Sequence, residues 1–209
     1  MLGDGALTFK EYAMKEPVPL ATIQDLVLEM LRERDDAVLF GAQAVNAYCD
    51  EPRMTEDIDI LSPNAKSLAE EIRSELASRF HLAIRVRELR GGRDYRVFQA
   101  RKPVNRHLVD VESVLTLPPA ERIEGVLVVT VPELIARKVV AMHRRRGQPR
   151  AGTDWRDLAT LLLKFPELKT ESGPVEARLH ALGADPEELL AWRDLVQESI
   201  EPEPPDDEE

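Results

Sequence analysis

The sequence has little of what secreted and membrane proteins rely on. One of its 209 residues is a cysteine, Cys49, so an intramolecular disulfide is excluded and a reducing cytosol is favoured. No apolar run approaches the roughly 18 residues that a membrane span needs. The N-terminus also lacks the basic and then apolar order of a signal peptide. We therefore expect a soluble, cytoplasmic protein with no membrane partner.

Several familiar site motifs are missing as well. The chain has no G-x-x-x-x-G-K-[ST] phosphate-binding loop and no zinc pattern. Cys49 follows a run of small residues, and we expect it in the core of a short helix rather than as a nucleophile. No metal-ligand spacing connects the four histidines, His81, His107, His143 and His180. The candidate metal ligands are instead aspartates.

Charge is distributed unevenly along the chain. The net charge is −11, but residues 198–209 hold seven acids and no base, so the rest of the chain carries −4. Residues 85–106 carry eight basic and two acidic residues, and residues 137–150 carry six basic residues and no acid, which gives +6 for each block. Positive blocks on an acidic protein indicate a phosphate-bearing partner. The alternative is a set of solvated faces with scattered ion pairs.

Hydrophobic periodicity predicts an order of elements that begins with a sheet and ends with helices. With 43% hydrophobic residues, the chain can bury a core. The first predicted elements are a helix over 19–34, a strand over 37–40, a short helix over 42–49, a strand over 57–61, a helix over 65–80, a hairpin of 82–89 with 95–100, and a strand over 106–111. After a break over 116–124, the run 125–129 is either a last strand or an extended linker.

The remaining pattern is helical. Thr130 to Glu133 is predicted to form a capping box that opens a helix ending near Arg146. A loop over 147–152 and helices over 154–164, near 174–182 and near 186–197 follow. We expect an α/β (α+β) fold, a mixed β-sheet with packed helices followed by a helical C-terminal part. The predicted regions are a loose arm over 1–18, the core over 19–115, the helical region over 116–200 and a disordered acidic tail over 201–209.

The stretch 36–62 holds the strongest candidate chemistry. Asp57 and Asp59 alternate with two isoleucines, so both carboxylates point to one side of a strand. Carboxylates placed side by side repel each other unless a cation or water lies between them. A divalent metal that holds a nucleoside triphosphate satisfies this pattern. Gly41, which follows a short apolar run, allows backbone amides to approach a phosphate closely.

A third carboxylate is expected in the strand 107–112. Asp110 lies between two valines, where an aspartate is out of place in a strand unless it is bound. We favour Asp110 as the base that deprotonates an acceptor hydroxyl or as a third metal ligand. Glu112 is the second choice, and an exposed strand acid without a function is the remaining alternative.

From Gly41 to Leu61 the pattern G-A-x-A-V-x-A-Y … R-M-T-E-D-I-D-I-L resembles the nucleotidyltransferase superfamily typified by DNA polymerase beta. More narrowly, it resembles the small prokaryotic AbiEii and MNT-type nucleotidyltransferases of toxin–antitoxin and phage-abortive systems. The resemblance implies a nucleotidyltransferase fold, Mg²⁺ or Mn²⁺ held by Asp57, Asp59 and a third carboxylate, and nucleotidyl transfer from a nucleoside triphosphate. Ala42 replaces the second Gly or Ser of the family, so that backbone amides alone would serve the triphosphate.

Further residues are implicated by the same resemblance. Arg53 is expected to pair with phosphate or with Asp57, and Thr55 to cap or orient the strand.

Downstream, P-E-L-I-A-R-K-V-V-A and T-D-W-R-D-L resemble the C-terminal helices of AbiEii-type proteins, which implies that Lys138, Asp154 and Asp157 line the nucleotide site. Lys138 has the alternative of a lysine that extends to solvent. Asp154 has the alternative of a helix N-cap, with Asp157 in the first turn.

The leading function is therefore metal-dependent transfer of a nucleoside monophosphate to a hydroxyl. An RNA or tRNA end is the preferred acceptor because the positive blocks suit a phosphate backbone. A partner protein, such as a cognate toxin or antitoxin, comes second, and an aminoglycoside-type small molecule third. The rival from another class is a catalytically degenerate module that binds nucleotide or a partner protein.

Overall fold

The computed structural model describes residues 18–50 and 52–202. Their contacts divide the chain into two units. The first comprises the described residues up to Ala47 together with Arg53–Val129, and the second comprises those of Tyr48–Pro52 together with the chain from Thr130 onward. The arm predicted over 1–18 and the tail predicted over 201–209 lie outside the described residues, apart from Val18 and residues 201–202.

The first unit is built around a mixed sheet. Its helices are α1 (Leu20–Leu31), α2 (Gly41–Tyr48, with Tyr48 in the second unit) and α3 (Ala65–Phe80). Its strands are β1 (Val38–Phe40), β2 (Ile58–Ser62), β3 (Ile84–Leu89), β4 (Asp94–Gln99), β5 (Arg106–Ser113), β6 (Ala120–Ile123) and β7 (Val126–Val129). They form one sheet in the order β3-β4-β5-β2-β1-β7-β6. The β2–β5 and β1–β7 pairs are parallel and the others antiparallel. This confirms the predicted mixed sheet with packed helices.

The two faces of this sheet differ in chemistry. On one face, Ile58, Ile60, Val97, Val109 and Val111 are at most 1% exposed. Helix α3 packs against β2, β3, β4 and β5, and its core positions Leu68, Ile72 and Leu76 recur every four residues along one side. Each such aliphatic side chain contributes about 1.5–3 kcal/mol when fully buried. The opposite face of the same strands carries charged side chains. Burial of the apolar face fixes how the strands pair, and this pairing fixes where the charged side chains lie.

The second unit is helical. It contains α4 (Val131–Arg144), α5 (Pro149–Lys164), a 3₁₀ turn (Pro166–Leu168), α6 (Pro174–Ala181) and α7 (Pro186–Gln197). Helix α4 contacts the other three helices. Its buried residues Leu134, Ile135 and Val139 recur at helical spacing and meet a core supplied by the other helices, which includes Leu158, Leu161, Leu179, Trp192 and Leu195. None of the helices in the described part of the chain has the length and apolarity needed to cross a bilayer.

The region between the two parts of the chain differs from the sequence-based expectation. The predicted break over 116–124 contains β6, which pairs with β7 through a turn at Glu124 and Gly125, with φ of 52° and 85°. Arg122 stabilises this hairpin by donating to the Gly125 carbonyl and pairing with Asp35. The contacts therefore place the strand pair in the first unit, whereas the sequence placed the boundary at residue 115.

One predicted helix start was correct in position but wrong in its cap, and another was wrong in position. Thr130 is the N-cap of α4, but its side chain makes no capping hydrogen bond. Glu133, the other half of the predicted box, instead accepts from Arg137 and Arg178 and is fully buried. Helix α5 begins at Pro149, so residues 149–152 are helical rather than a loop. A complete capping box is present in α7, between Asp185 and Glu188.

Candidate active site

Three carboxylates meet on the charged face of the sheet. Asp59 lies in β2, Asp57 directly precedes that strand, and Asp110 lies opposite Asp59 in the parallel neighbour β5. One oxygen of each carboxylate lies within 4.8 Å of the other two, and all three residues are half-buried. The predicted convergence of these acids from neighbouring strands is thus confirmed. Negative groups held so closely disfavour one another unless positive charge lies nearby.

The register also separates the two candidates for the third carboxylate. Glu112 pairs with Leu61 and so lies two residues farther along β5 than Asp110. Two residues in a strand correspond to about 6–7 Å. Within the described residues, the acids whose oxygens lie close enough together to bind one metal ion include Asp110 and do not include Glu112.

Arg96 supplies positive charge at the group. It lies opposite Asp110 on β4, and its guanidinium donates from Nε to Oδ1 at 2.7 Å and from Nη2 to Oδ2 at 2.6 Å. These hydrogen bonds raise the pKa of Arg96, burial opposes the rise, and the charges of Asp110, Asp57 and Asp59 add to it. Bidentate pairs of this kind are strong and directional. Arg96 therefore fixes the position of the Asp110 carboxylate.

In the sequence, Arg96 stands out only as one member of a basic block. The signal that could have revealed it is the register of the predicted hairpin combined with the pairing of β4 and β5. That pairing joins residues distant in sequence, so no local pattern reports it.

Gly41 lies directly against one of these acids, Asp59. Its φ is +71°, a left-handed conformation that favours glycine, and it is the first residue of α2. A Cβ placed on it would lie 2.0 Å from Oδ2 of Asp59. A side chain at position 41 is therefore excluded by the Asp59 carboxylate itself, in addition to the close approach of phosphate that the sequence suggested.

We predict that Gly41→Ala lowers both stability and any activity that depends on Asp59. The left-handed backbone costs a non-glycine residue about 1–2 kcal/mol of unfolding free energy. The added methyl group also displaces the Asp59 carboxylate. A displacement of about 1 Å in a reacting group lowers the rate about a hundredfold. Chemical denaturation and a nucleotidyl-transfer assay measure the two effects.

Gly91→Ala is the matched control for this prediction. Gly91 has a φ of +67° in the β3–β4 turn, and nothing lies within 4 Å of its added Cβ. The control therefore carries the backbone strain without the collision. Equal activities for the two variants would contradict the prediction.

The start of α2 lies next to Asp59. Ala42 and Gln43 follow Gly41 in its first turn, where backbone N–H groups lack partners within the helix. Gln43 is 4% exposed, so its side chain belongs to the core. The amides at this terminus form the positive end of the helix dipole, which favours anions. Ala42 has no hydroxyl to add to them.

Arg53 and Thr55 lie on the segment that leads into Asp57. The backbone of Arg53 donates to and accepts from the side chain of Asn46, at 3.0 and 2.8 Å. Thr55 Oγ1 donates to the carbonyl of Asp57 at 2.8 Å, and its own carbonyl accepts from Gln24. These contacts hold the segment in place, in line with the orienting role considered for Thr55.

Lys138, Asp154 and Asp157 form a buried ion cluster in the second unit. The Lys138 ammonium lies 2.6 Å from Oδ2 of Asp157 and 3.3 Å from Oδ1 of Asp154. Arg145 donates to the other oxygen of Asp154 at 2.8 Å. The three residues are 9%, 2% and 1% exposed in that order. Lys138 does not extend to solvent, because it is buried. Asp154 is not a helix N-cap, because the N-cap of α5 is Gln148.

Cys49 differs from its expected place. It follows the last residue of α2 and is half-buried rather than part of a helix core. Burial raises the pKa of its thiol, an effect that Lys164 opposes and that Asp157 and Asp50 reinforce. A thiol with a raised pKa is a poor nucleophile near neutral pH, which agrees with the expectation that Cys49 does not act as one.

Comparison with known proteins supplies the wider context. A search of the curated proteins found no match. Among solved structures, Megavirus polyadenylate synthase superposes with a TM-score of 0.60 and 14% identity over 75% of this chain and 34% of that one. JHP933 from Helicobacter pylori superposes with a TM-score of 0.53 and 17% identity over 93% of this chain and 84% of that one. The chain thus spans about a third of the viral enzyme's length, and identities this low establish a shared fold alone.

A family model decides the assignment. The model of the AbiEii nucleotidyl transferase toxin of type IV toxin–antitoxin systems matches residues 27–208. This range includes the carboxylate group, the turn at Gly41 and the helical second unit. The chain therefore belongs to the AbiEii nucleotidyl transferase family.

Proposed function

We propose that the chain transfers a nucleoside monophosphate from a nucleoside triphosphate to a hydroxyl group, at the site formed by Asp57, Asp59 and Asp110. The observation that carries the proposal is the approach of these three carboxylates to within 4.8 Å of one another, beside the turn at Gly41. Positioning and charge neutralisation dominate phosphoryl-type transfer: the three acids would hold a cation in a fixed place, and that cation would supply the positive charge.

The donor set suits a hard divalent cation. Mg²⁺ and Mn²⁺ prefer carboxylate oxygens, and the cluster offers three that are already close enough to share an ion. When bound, the metal supplies charge neutralisation at the attacking and leaving oxygens of the transferred phosphoryl group. Asp57 and Asp59 are the proposed principal ligands.

Asp110 is the proposed third ligand. Both of its oxygens accept from Arg96, but each carboxylate oxygen has a second lone-pair direction. The bidentate pair leaves those directions free to face Asp59 while it prevents the carboxylate from rotating. Asp110 can therefore contribute a fixed ligand without losing its bond to Arg96.

The triphosphate is proposed to bind at the start of α2. Gly41 allows close approach, and the amides of Ala42 and the residues after it point at the anion. Arg53 is the nearby candidate for a phosphate contact. The family resemblance adds Lys138, Asp154 and Asp157 to the proposed nucleotide-binding residues, although their mutual ion pairs already give them a role in joining α4 to α5.

The proposed acceptor is a hydroxyl at an RNA end, such as that of a tRNA. The basic block over 85–106 supports this acceptor, because the block lies along β3, β4 and the start of β5, in the same sheet as the carboxylates. Basic residues bind a phosphate backbone. A protein of the same toxin–antitoxin system is the alternative acceptor.

A labelling experiment tests this function. The protein is incubated with Mg²⁺ or Mn²⁺ and each nucleoside triphosphate labelled at the α-phosphate, together with total RNA, cell extract or an aminoglycoside. Label in RNA with pyrophosphate release is the expected result. Label in a protein or in the aminoglycoside would reassign the acceptor. Triphosphate binding without pyrophosphate release under all conditions would overturn the proposal in favour of a degenerate binding module.

A further inference from the structure

Arginines on β3 lie on the face of the sheet that carries the carboxylates. Arg87 pairs with Arg96, Arg96 with Asp110, and Asp110 with Asp59. Residues that pair directly across strands point to the same side. Arg87 and Asp59 therefore end a single row across four strands. Three strand spacings separate them, which is about 14 Å.

Two arginines of β3, one of them in this row, are available to a ligand. Arg85 and Arg87 are both exposed, and within the described part of the chain neither forms an ion pair. The Arg87 guanidinium lies over the ring of Phe98, 5.2 Å from its centroid. This cation–π contact restrains the side chain against the sheet while its N–H groups remain exposed. Arg87, held in this way, and the exposed Arg85 beside it are poised for an anion.

Neighbouring charges give the row a direction. Toward one end of the hairpin, Glu112 lies opposite Asp94, and Asp94 pairs with Arg90 at 3.0 Å, so acidic and basic groups are mixed there. Toward the other end, Arg85 lies opposite Phe98 and Phe98 opposite His107, with no acid among them. A polyanion is therefore attracted more strongly to the side that holds Arg85 and Arg87 than to the Asp94 side.

We propose that Arg85 and Arg87 bind the phosphate backbone of a single-stranded RNA whose end reaches the carboxylate group. The inference rests on the proposed function, because it assumes that the acceptor is an RNA end. The distance of about 14 Å, three strand spacings, places the bound phosphates upstream of the reacting nucleotide. Arginine contacts to phosphate position a strand without reading its sequence. Phe98 is 7% exposed beneath Arg87, so base stacking is not part of this surface.

Binding measured against salt concentration tests the proposal. Each phosphate contact to single-stranded nucleic acid contributes about 0.7 to the slope of log affinity against log salt. The double variant R85Q/R87Q should therefore reduce the slope for a short single-stranded RNA by about 1.4. It should leave the affinity for a nucleoside triphosphate with Mn²⁺ unchanged. In the transfer assay it should raise KM for RNA and leave kcat unchanged.

The matched control is K66Q/R79Q. Lys66 and Arg79 are exposed on α3, which covers the opposite face of the sheet, and the variant removes the same amount of charge. Its slope should equal that of the wild type if the effect belongs to this surface.

Three results would overturn the inference. They are an unchanged slope for R85Q/R87Q, an equal loss in K66Q/R79Q, or an equal loss of triphosphate affinity. If the wild-type protein labels RNA but R85Q/R87Q keeps the wild-type salt dependence of RNA binding, the proposed RNA-binding surface is wrong and the proposed function stands. A wild-type protein that neither binds nor labels RNA would remove the acceptor on which the surface depends.

Discussion

Asp59→Asn is expected to reduce nucleotidyl transfer by on the order of a thousandfold or more, because it removes a charged ligand from the centre of the site. Asp59 lies opposite Asp110 and next to Gly41, so it joins the carboxylate group to the start of α2. Asparagine has the same size and keeps the strand packing. It removes one of three mutually repelling charges but also the attraction of Asp59 for Arg96, so the stability without metal should stay close to that of the wild type.

Two measurements separate loss of the site from loss of the fold. Thermal unfolding without metal should stay close to that of the wild type. The Mn²⁺-dependent increase in Tm should shrink, since stabilisation by a ligand follows its affinity for the folded state. This second readout does not depend on turnover. A variant that loses activity because it unfolds would mean that Asp59 is structural.

Glu112→Gln is the matched control for the carboxylate assignment. Glu112 lies on the same strand as Asp110, two residues farther from Asp59. Its activity is expected to remain close to that of the wild type, whereas Asp110→Asn should lose most of it. The reverse result would show that Glu112 is the third carboxylate and that Asp110 serves only to pair with Arg96.

Local alternation was sufficient to predict the acidic face of β2. Asp57 and Asp59 share a side because strand side chains have a period of two, and an aspartate between valines marked Asp110. The choice between Asp110 and Glu112 needed the register of β2 with β5. That register depends on which apolar residues pack together across some fifty positions of sequence. The role of Arg96 depends on a further strand pairing, so no local pattern reports either one.

In the second unit the local signals were misleading for a different reason. An aspartate before an apolar run is a common helix start, and Thr130 to Glu133 matches a capping box. In the fold, Glu133 and Asp154 are both buried and form ion pairs with cations on other turns or helices. A buried charge must be paired, and this requirement outweighs a capping bond worth about 1 kcal/mol.

Lys138→Met is expected to lower the unfolding free energy of the second unit by about 3–5 kcal/mol, the usual cost of removing one partner of a buried ion pair. Methionine preserves the apolar stem but leaves Asp157, 1% exposed, without the ammonium that lies 2.6 Å away. Asp154 retains Arg145 at 2.8 Å, which limits the loss at that carboxylate. Chemical denaturation followed by a signal from Trp192, fully buried in the same unit, measures it.

Lys164→Met shows whether burial is the reason. The Lys164 ammonium lies 2.7 Å from Asp50, nearly the same separation as in the Lys138–Asp157 pair, but Asp50 is 89% exposed. Exposed pairs contribute below about 1 kcal/mol, so this variant should lose little. Adding Asp157→Asn to Lys138→Met should restore part of the stability, because it removes a buried negative charge that the ammonium had balanced. If Lys138→Met instead unfolds like the wild type and loses only triphosphate affinity, the lysine serves the nucleotide and the buried pairs do not stabilise the unit.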